Sequence, residues 1–84
     1  MIQCAALRVG LLTLSKEPPT RHHDLLQELD RILAGAEPAL EIEQGFLTSA
    51  GTFVDRAEAA RLAIASGQIA ALRWPPDLYS EDLW

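Results

Sequence analysis

Arg21, His22 and His23 stand side by side, and a second arginine, Arg56, directly follows Asp55. Guanidinium and imidazole groups hold anions or move protons near neutral pH. Adjacent residues on a helix point about 100° apart, so His22 and His23 cannot clasp one metal ion as an i, i+4 pair does. If both arginines open helices, the unpaired N–H groups of two first turns join the side chains as donors to a phosphate. Gln44, Thr48 and Ser49 add neutral donors nearby in the chain. The plainer alternative has His22 half-buried against the core, His23 exposed, and Arg56 paired with a surface carboxylate. The hydroxyls then serve their own turn. No nucleophile elbow or paired-carboxylate signature appears; Glu41 and Glu43 share a strand face and are expected to be solvated.

These residues need elements to position them. Ile2 to Leu7 and Leu11 to Leu14 are β-prone, with a tight turn expected at Val9 and Gly10. Pro18 and Pro19 close that segment, and Thr20 is expected as an N-cap. Leu25, Leu29, Ile32, Leu33 and Ala36 then recur at three- and four-residue spacing, with Leu26 widening the stripe. Gly35 and Pro38 mark the stop. Leu40 to Glu43 alternates and extends a third strand, Phe46 to Thr48. Ser49, Ala50 and Gly51 form a hairpin loop before a fourth, Thr52 to Val54.

Asp55 and Glu58 form a D-x-x-E capping box for a second helix that stops at Gly67. Trp74, Pro75 and Pro76 are expected to be extended. The pattern predicts an α+β domain: a small antiparallel sheet of about four strands with two main helices. Its expected core is Leu26, Leu29, Leu33, Phe46, Phe53, Leu62 and Ile64.

With 84 residues, 49% of them hydrophobic, the sequence describes a single globular domain. Much of the apolar content is alanine, and a domain this small is marginal alone, so a homo-oligomer, most simply a dimer, is expected. The net charge is −5 and the basic residues are scattered, which excludes a broad nucleic-acid surface. One cysteine, Cys4, leaves no intrachain disulfide and fits a reducing compartment. No apolar run is long enough for a membrane span, and no cofactor or metal motif is present. The segment Leu78, Tyr79, Ser80, Glu81, Asp82, Leu83 and Trp84 is aromatic and acidic. It is expected to dock on this domain, a second copy or a partner, with Ser80 capping a short turn.

The strings RHHDLL, QGFLTSAGTFVDRAEA, GQI and LYSEDLW occupy Arg21–Leu26, Gln44–Ala59, Gly67–Ile69 and Leu78–Trp84. In order and spacing they resemble a family of small phage and prophage proteins, and the early CAALR also fits. The matching pieces cover about half the chain; Gly10 to Thr20 and Trp74 to Pro76 lie outside the pattern. The resemblance implies an accessory role in the host cytoplasm during infection and brings no chemistry with it.

Two functional expectations follow. One is sequestration of a small phosphorylated, nucleotide-derived signal of host defence, held by Arg21, His22, His23, Gln44, Thr48, Ser49 and Arg56. The other is an acidic inhibitor that covers a host defence protein. A nucleotide-degrading enzyme using His22 or His23 as general acid or base is a third class, and no catalytic partner is identifiable by spacing. A structural or regulatory phage protein is a fourth.

Overall fold

A glycine, not an alternation of apolar residues, ends the first strand. Gly10 takes a positive φ of 60° and turns the chain between β1 (Ile2–Val9) and β2 (Leu12–Ser15). The turn is one residue later than the sequence suggests, and the second strand moves with it. The computed structural model describes residues 1–33 and 41–84. The expectations placed on Gly35, Ala36, Pro38 and Leu40 lie outside these residues.

Then follow α1 (His22–Leu33), β3 (Ile42–Thr48), β4 (Phe53–Asp55) and α2 (Arg56–Ala65). The four strands form one antiparallel sheet in the order β2-β1-β3-β4. Both helices pack on the same face, so the α+β architecture read from the sequence is the one observed. The β3–β4 loop is Ser49 to Thr52, with Gly51 at φ 81°, so β4 begins one residue later than the expected Thr52.

The register decides which side each strand residue faces. Ala5, Leu7 and Phe46 point toward the helices and are fully buried. Leu25 and Leu29 of α1, Ala59, Ala60 and Ala63 of α2, and Leu78 complete this core. Cys4, Ala6, Arg8, Gly45, Leu47 and Phe53 face the other way by the same register.

Five expected core residues need correction. On α1 the buried residues are His22, Leu25 and Leu29; Leu26 lies beside that stripe, and Leu33, four residues past Leu29 on the same face, is also only partly buried. On α2 the three alanines bring the helix close to the sheet. Leu62 and Ile64 lie about 100° to either side of that stripe; Leu62 is partly buried and Ile64 is 46% exposed. The sequence argument favoured bulk, whereas close approach of a helix needs small side chains. Phe53 is also only partly buried, because β4 turns it to the helix-free face. There the Arg8 guanidinium sits 4.5 Å over its ring and pairs with Glu43 at 2.9 Å.

Two helix starts depart from expectation. Thr20 does not cap α1. Its N–H bonds Glu17, and the Asp24 carboxylate reaches back to the Arg21 N–H at 2.9 Å. At α2 half of the capping box forms. Asp55 accepts from the Glu58 N–H at 2.8 Å, while the Glu58 carboxylate pairs with Arg61 instead. Past α2, Gly67 at φ 75° redirects the chain and delivers Gln68 to β1. The Gln68 side-chain amide accepts from the Ile2 N–H at 2.8 Å and donates to the Ile2 carbonyl at 2.7 Å.

Candidate functional site

Both helix starts face one segment, and that segment belongs to the chain itself. Residues Asp77 to Trp84 run across the beginnings of α1 and α2. The approach to them is a turn closed by the Asp77 N–H on the Trp74 carbonyl, not the extended Trp74–Pro76 piece expected.

At α2, Arg56 grips Leu78 twice. The Leu78 N–H donates to the Arg56 carbonyl at 3.0 Å, and the guanidinium donates to the Leu78 carbonyl at 2.9 Å. A second guanidinium nitrogen donates to Gln44 Oε1 at 2.6 Å, and the Tyr79 ring lies 4.4 Å beneath the cation. Burial pushes the Arg56 guanidinium below the usual arginine range; Tyr79, Glu81 and Asp77 oppose the shift. Trp74 makes an edge contact with Tyr79 at 5.4 Å and stays 51% exposed.

At α1, three consecutive residues hold the tail. The Trp84 indole N–H donates to the Thr20 carbonyl at 3.0 Å, and Arg21 donates to the Trp84 carbonyl. His22 is 5% exposed, packs edge-on against Phe46, and presents one nitrogen to each side. Nε2 lies 2.6 Å from the Gly45 carbonyl, which can only accept, so Nε2 carries the proton. Nδ1 lies 3.4 Å from Ser80 Oγ, which donates to Glu81 Oε1 at 3.0 Å. Burial pushes the His22 imidazole below its usual value. The Gly45 carbonyl opposes this, Arg56 adds to it, and Glu81 works against it.

Ser80 does not cap the 3-10 turn Ser80–Asp82. Asp82 does so, accepting from the Tyr79 N–H at 3.0 Å and the Arg73 N–H at 3.1 Å. Ser80 is instead buried to 1% exposure beside His22. A serine hydroxyl so enclosed, with its proton directed to a carboxylate, is not arranged to attack a substrate.

The structure thus brings Arg21, His22, Gln44 and Arg56 together around Leu78, Tyr79, Ser80, Glu81, Leu83 and Trp84. It does not bring His23, Thr48 or Ser49 there. His23 is exposed. Thr48 is buried at the other end of β3, where its Oγ1 accepts from the Thr52 N–H at 3.3 Å, and the Ser49 N–H bonds the Met1 carbonyl. Leu78 is fully buried, and Leu83 and Trp84 pack on the core of their own domain.

The sequence reading missed the Gly45 carbonyl, the Thr20 carbonyl and the exposed face of Trp74. Main-chain acceptors carry no residue signature, whereas an aromatic followed by two prolines does. Cys4, on the helix-free face, is buried and its thiol is pushed up by that burial, against hydrogen bonds from Ser15 and Leu47. Among the described residues no group of three or more His, Cys, Asp or Glu could hold a metal ion. No helix among them is long and apolar enough to cross a membrane.

A family model described as phage T4 y16D protein matches residues 1–84. Neither curated proteins nor solved structures give a match.

Proposed function

The chain belongs to the phage T4 y16D protein family, and from that premise we propose that it is an accessory protein of the infected host's cytoplasm that works by binding a host protein. The observation that carries this reading is the stack of Trp74, Tyr79 and Arg56 at the surface, with Trp74 half exposed. Trp, Tyr and Arg supply most hot spots of protein interfaces. Asp77 and Glu81 act on Arg56, Asp82 binds the Arg73 and Tyr79 N–H groups, and the net charge is −5, so the complementary partner face is basic. A defence enzyme that handles nucleic acid presents such a face.

The test is a photo-crosslinking residue placed at position 74 during infection, with position 64 as control. A discrete adduct with one basic host protein at position 74 alone supports the reading. No adduct, or the same adducts from both positions, refutes it.

Sequestration of a small phosphorylated, nucleotide-derived signal is the second reading. It is favoured by the convergence of Arg21, His22, Gln44 and Arg56, and such a ligand would compete with the tail carbonyls now held by the two arginines. Calorimetry against cyclic dinucleotides and ADP-ribose derivatives tests it directly. Self-association belongs to the same proposal. It no longer rests on the tail, which docks within its own domain, but on exposed Leu11 and Leu12 at the β1–β2 turn. Light scattering at high micromolar concentration decides it, and a monomer mass would remove it.

A further inference from the structure

Ser80 has one hydroxyl proton and two neighbours that could take it. Glu81 Oε1 at 3.0 Å is the nearer, and His22 Nδ1 at 3.4 Å is left facing an oxygen whose proton points away. Nδ1 is therefore where an added proton would land. Nε2 is already committed to Gly45. The ring is enclosed by β3, α2 and the tail, and the tail is held beside it by Thr20 and Arg21, the two residues before His22, and by Arg56 at Leu78.

Among the described residues the charges around the ring are few. Arg56 faces it from α2 and Glu81 from the tail. From β3 it meets only the Gly45 carbonyl and the Phe46 ring. On its own helix Arg21 is turned to the Trp84 carbonyl, and Asp24 to the Arg21 N–H. On β3, Glu43 is occupied on the opposite face by Arg8.

We propose that the segment Leu78–Trp84 is a proton-operated latch, closed over neutral His22 and released when the enclosed imidazole gains a second proton. In the closed state an imidazolium would be shut away from water next to the Arg56 guanidinium, with the Gly45 carbonyl, the Glu81 carboxylate and a weak contact to Ser80 to set against that. In the open state it would be hydrated. Ligands and protons favour the state that binds them better, so acid favours the open tail. The lowered affinity of closed His22 for a proton agrees in direction. Opening frees the Arg21 and Arg56 guanidinium groups from the Trp84 and Leu78 carbonyls, and disassembles the Tyr79 stack that the proposed partner surface uses.

The device does not depend on what that surface binds, and its test uses the protein alone. In a Trp74→Phe background Trp84 is the sole indole. Its emission should shift to the red as pH falls from about 7 to 5, through the usual histidine range, while far-UV circular dichroism stays constant. His22→Gln keeps an N–H donor for Gly45 but does not titrate, and should hold the emission flat across the same range. Should that variant fail to fold, NMR on the unaltered chain decides. The titration midpoint of the His22 ring and that of the Trp84 indole N–H must coincide. Emission that does not move, an identical shift in His22→Gln, separate midpoints, or a shift that coincides with loss of helical signal would each overturn the latch.

Discussion

Replacing Gly45 by alanine puts a methyl group where β4 already lies. A Cβ built there would stand 2.2 Å from the Val54 carbonyl oxygen and 2.6 Å from Phe53 Cζ. Non-bonded heavy atoms settle at about 3.5 Å or beyond, so β4 must retreat by roughly 1 Å. The ring can swing aside, but the carbonyl is main chain and is tied to β3 by the pairing of Gly45 with Asp55 and Phe46 with Val54. Overpacking typically costs about 1–3 kcal/mol, and an alanine in a strand recovers about 0.5–1 kcal/mol of lost chain freedom. Because the obstacle is backbone, the upper part of the range applies, and a net loss of about 2 kcal/mol is expected. For a domain of this size that lowers the melting temperature by roughly 8–16 °C.

Urea unfolding followed by circular dichroism measures the loss, with Gly51→Ala as the comparison. At Gly51 nothing lies within 4 Å of the added atom, and only the φ of 81° opposes it, at a cost of about 1–2 kcal/mol. Trimming the ring with Phe53→Ala separates the two obstacles. Gly45→Ala should remain destabilising in that background, because Val54 is still there. A loss below about 0.5 kcal/mol, or full rescue by Phe53→Ala, would refute the main-chain clash.

Arg56→Ala should cost about 1.5–2 kcal/mol, the lower part of the range for charge-assisted bonds, because the side chain is only half buried. Arg56→Lys should recover little of it, since one ammonium cannot reach Leu78 and Gln44 in the fixed directions of a guanidinium while covering Tyr79; urea midpoints of both variants check this. Asp55→Ala removes the cap of α2 and should cost about 1 kcal/mol, read as earlier thermal loss of helical signal. His22 sets a pH dependence whose sign follows from its lowered folded value. Between that value and the unfolded one near pH 6.5, the unfolded chain holds more protons, so stability from this group is complete above about pH 6.5 and is lost as pH falls. Urea midpoints at a series of pH values should show this slope in the native chain and a flatter one in His22→Gln.

What the sequence made legible is what local rules govern. The Gly51 loop, the Asp55 cap and the Gly67 stop are each decided within four residues, and each is found where the pattern puts it. His22 was placed on the buried side of its helix because periodicity fixes a face. Periodicity does not fix the phase of the stripe to one residue, hence Leu25 in the core where Leu26 was expected. It also ranks Ile64 above Ala63, although the sheet lies too close for a large side chain. The anion site inferred from two arginine-bearing helix starts fared differently. The donors are real and converge, but their acceptors are carbonyls 22 and 63 residues further along the chain. A carbonyl looks the same at every position in a sequence, so no pattern could announce that these donors are satisfied from within.

Gln68 has a bearing on how this protein stays apart from its copies. β2 accompanies β1 only from Ala6 to Val9. A bare strand end is a template on which a foreign strand can continue the sheet, and growth by such pairing is the route to fibrils. At Ile2 the side-chain amide of Gln68 supplies one acceptor and one donor, the two poles of a peptide group, and so caps that end as a strand one residue long. Glutamate has no donor to offer the Ile2 carbonyl, and asparagine is one methylene shorter. At this position a substitution that leaves the fold intact would still leave an open edge, and its cost would appear in solubility on long standing.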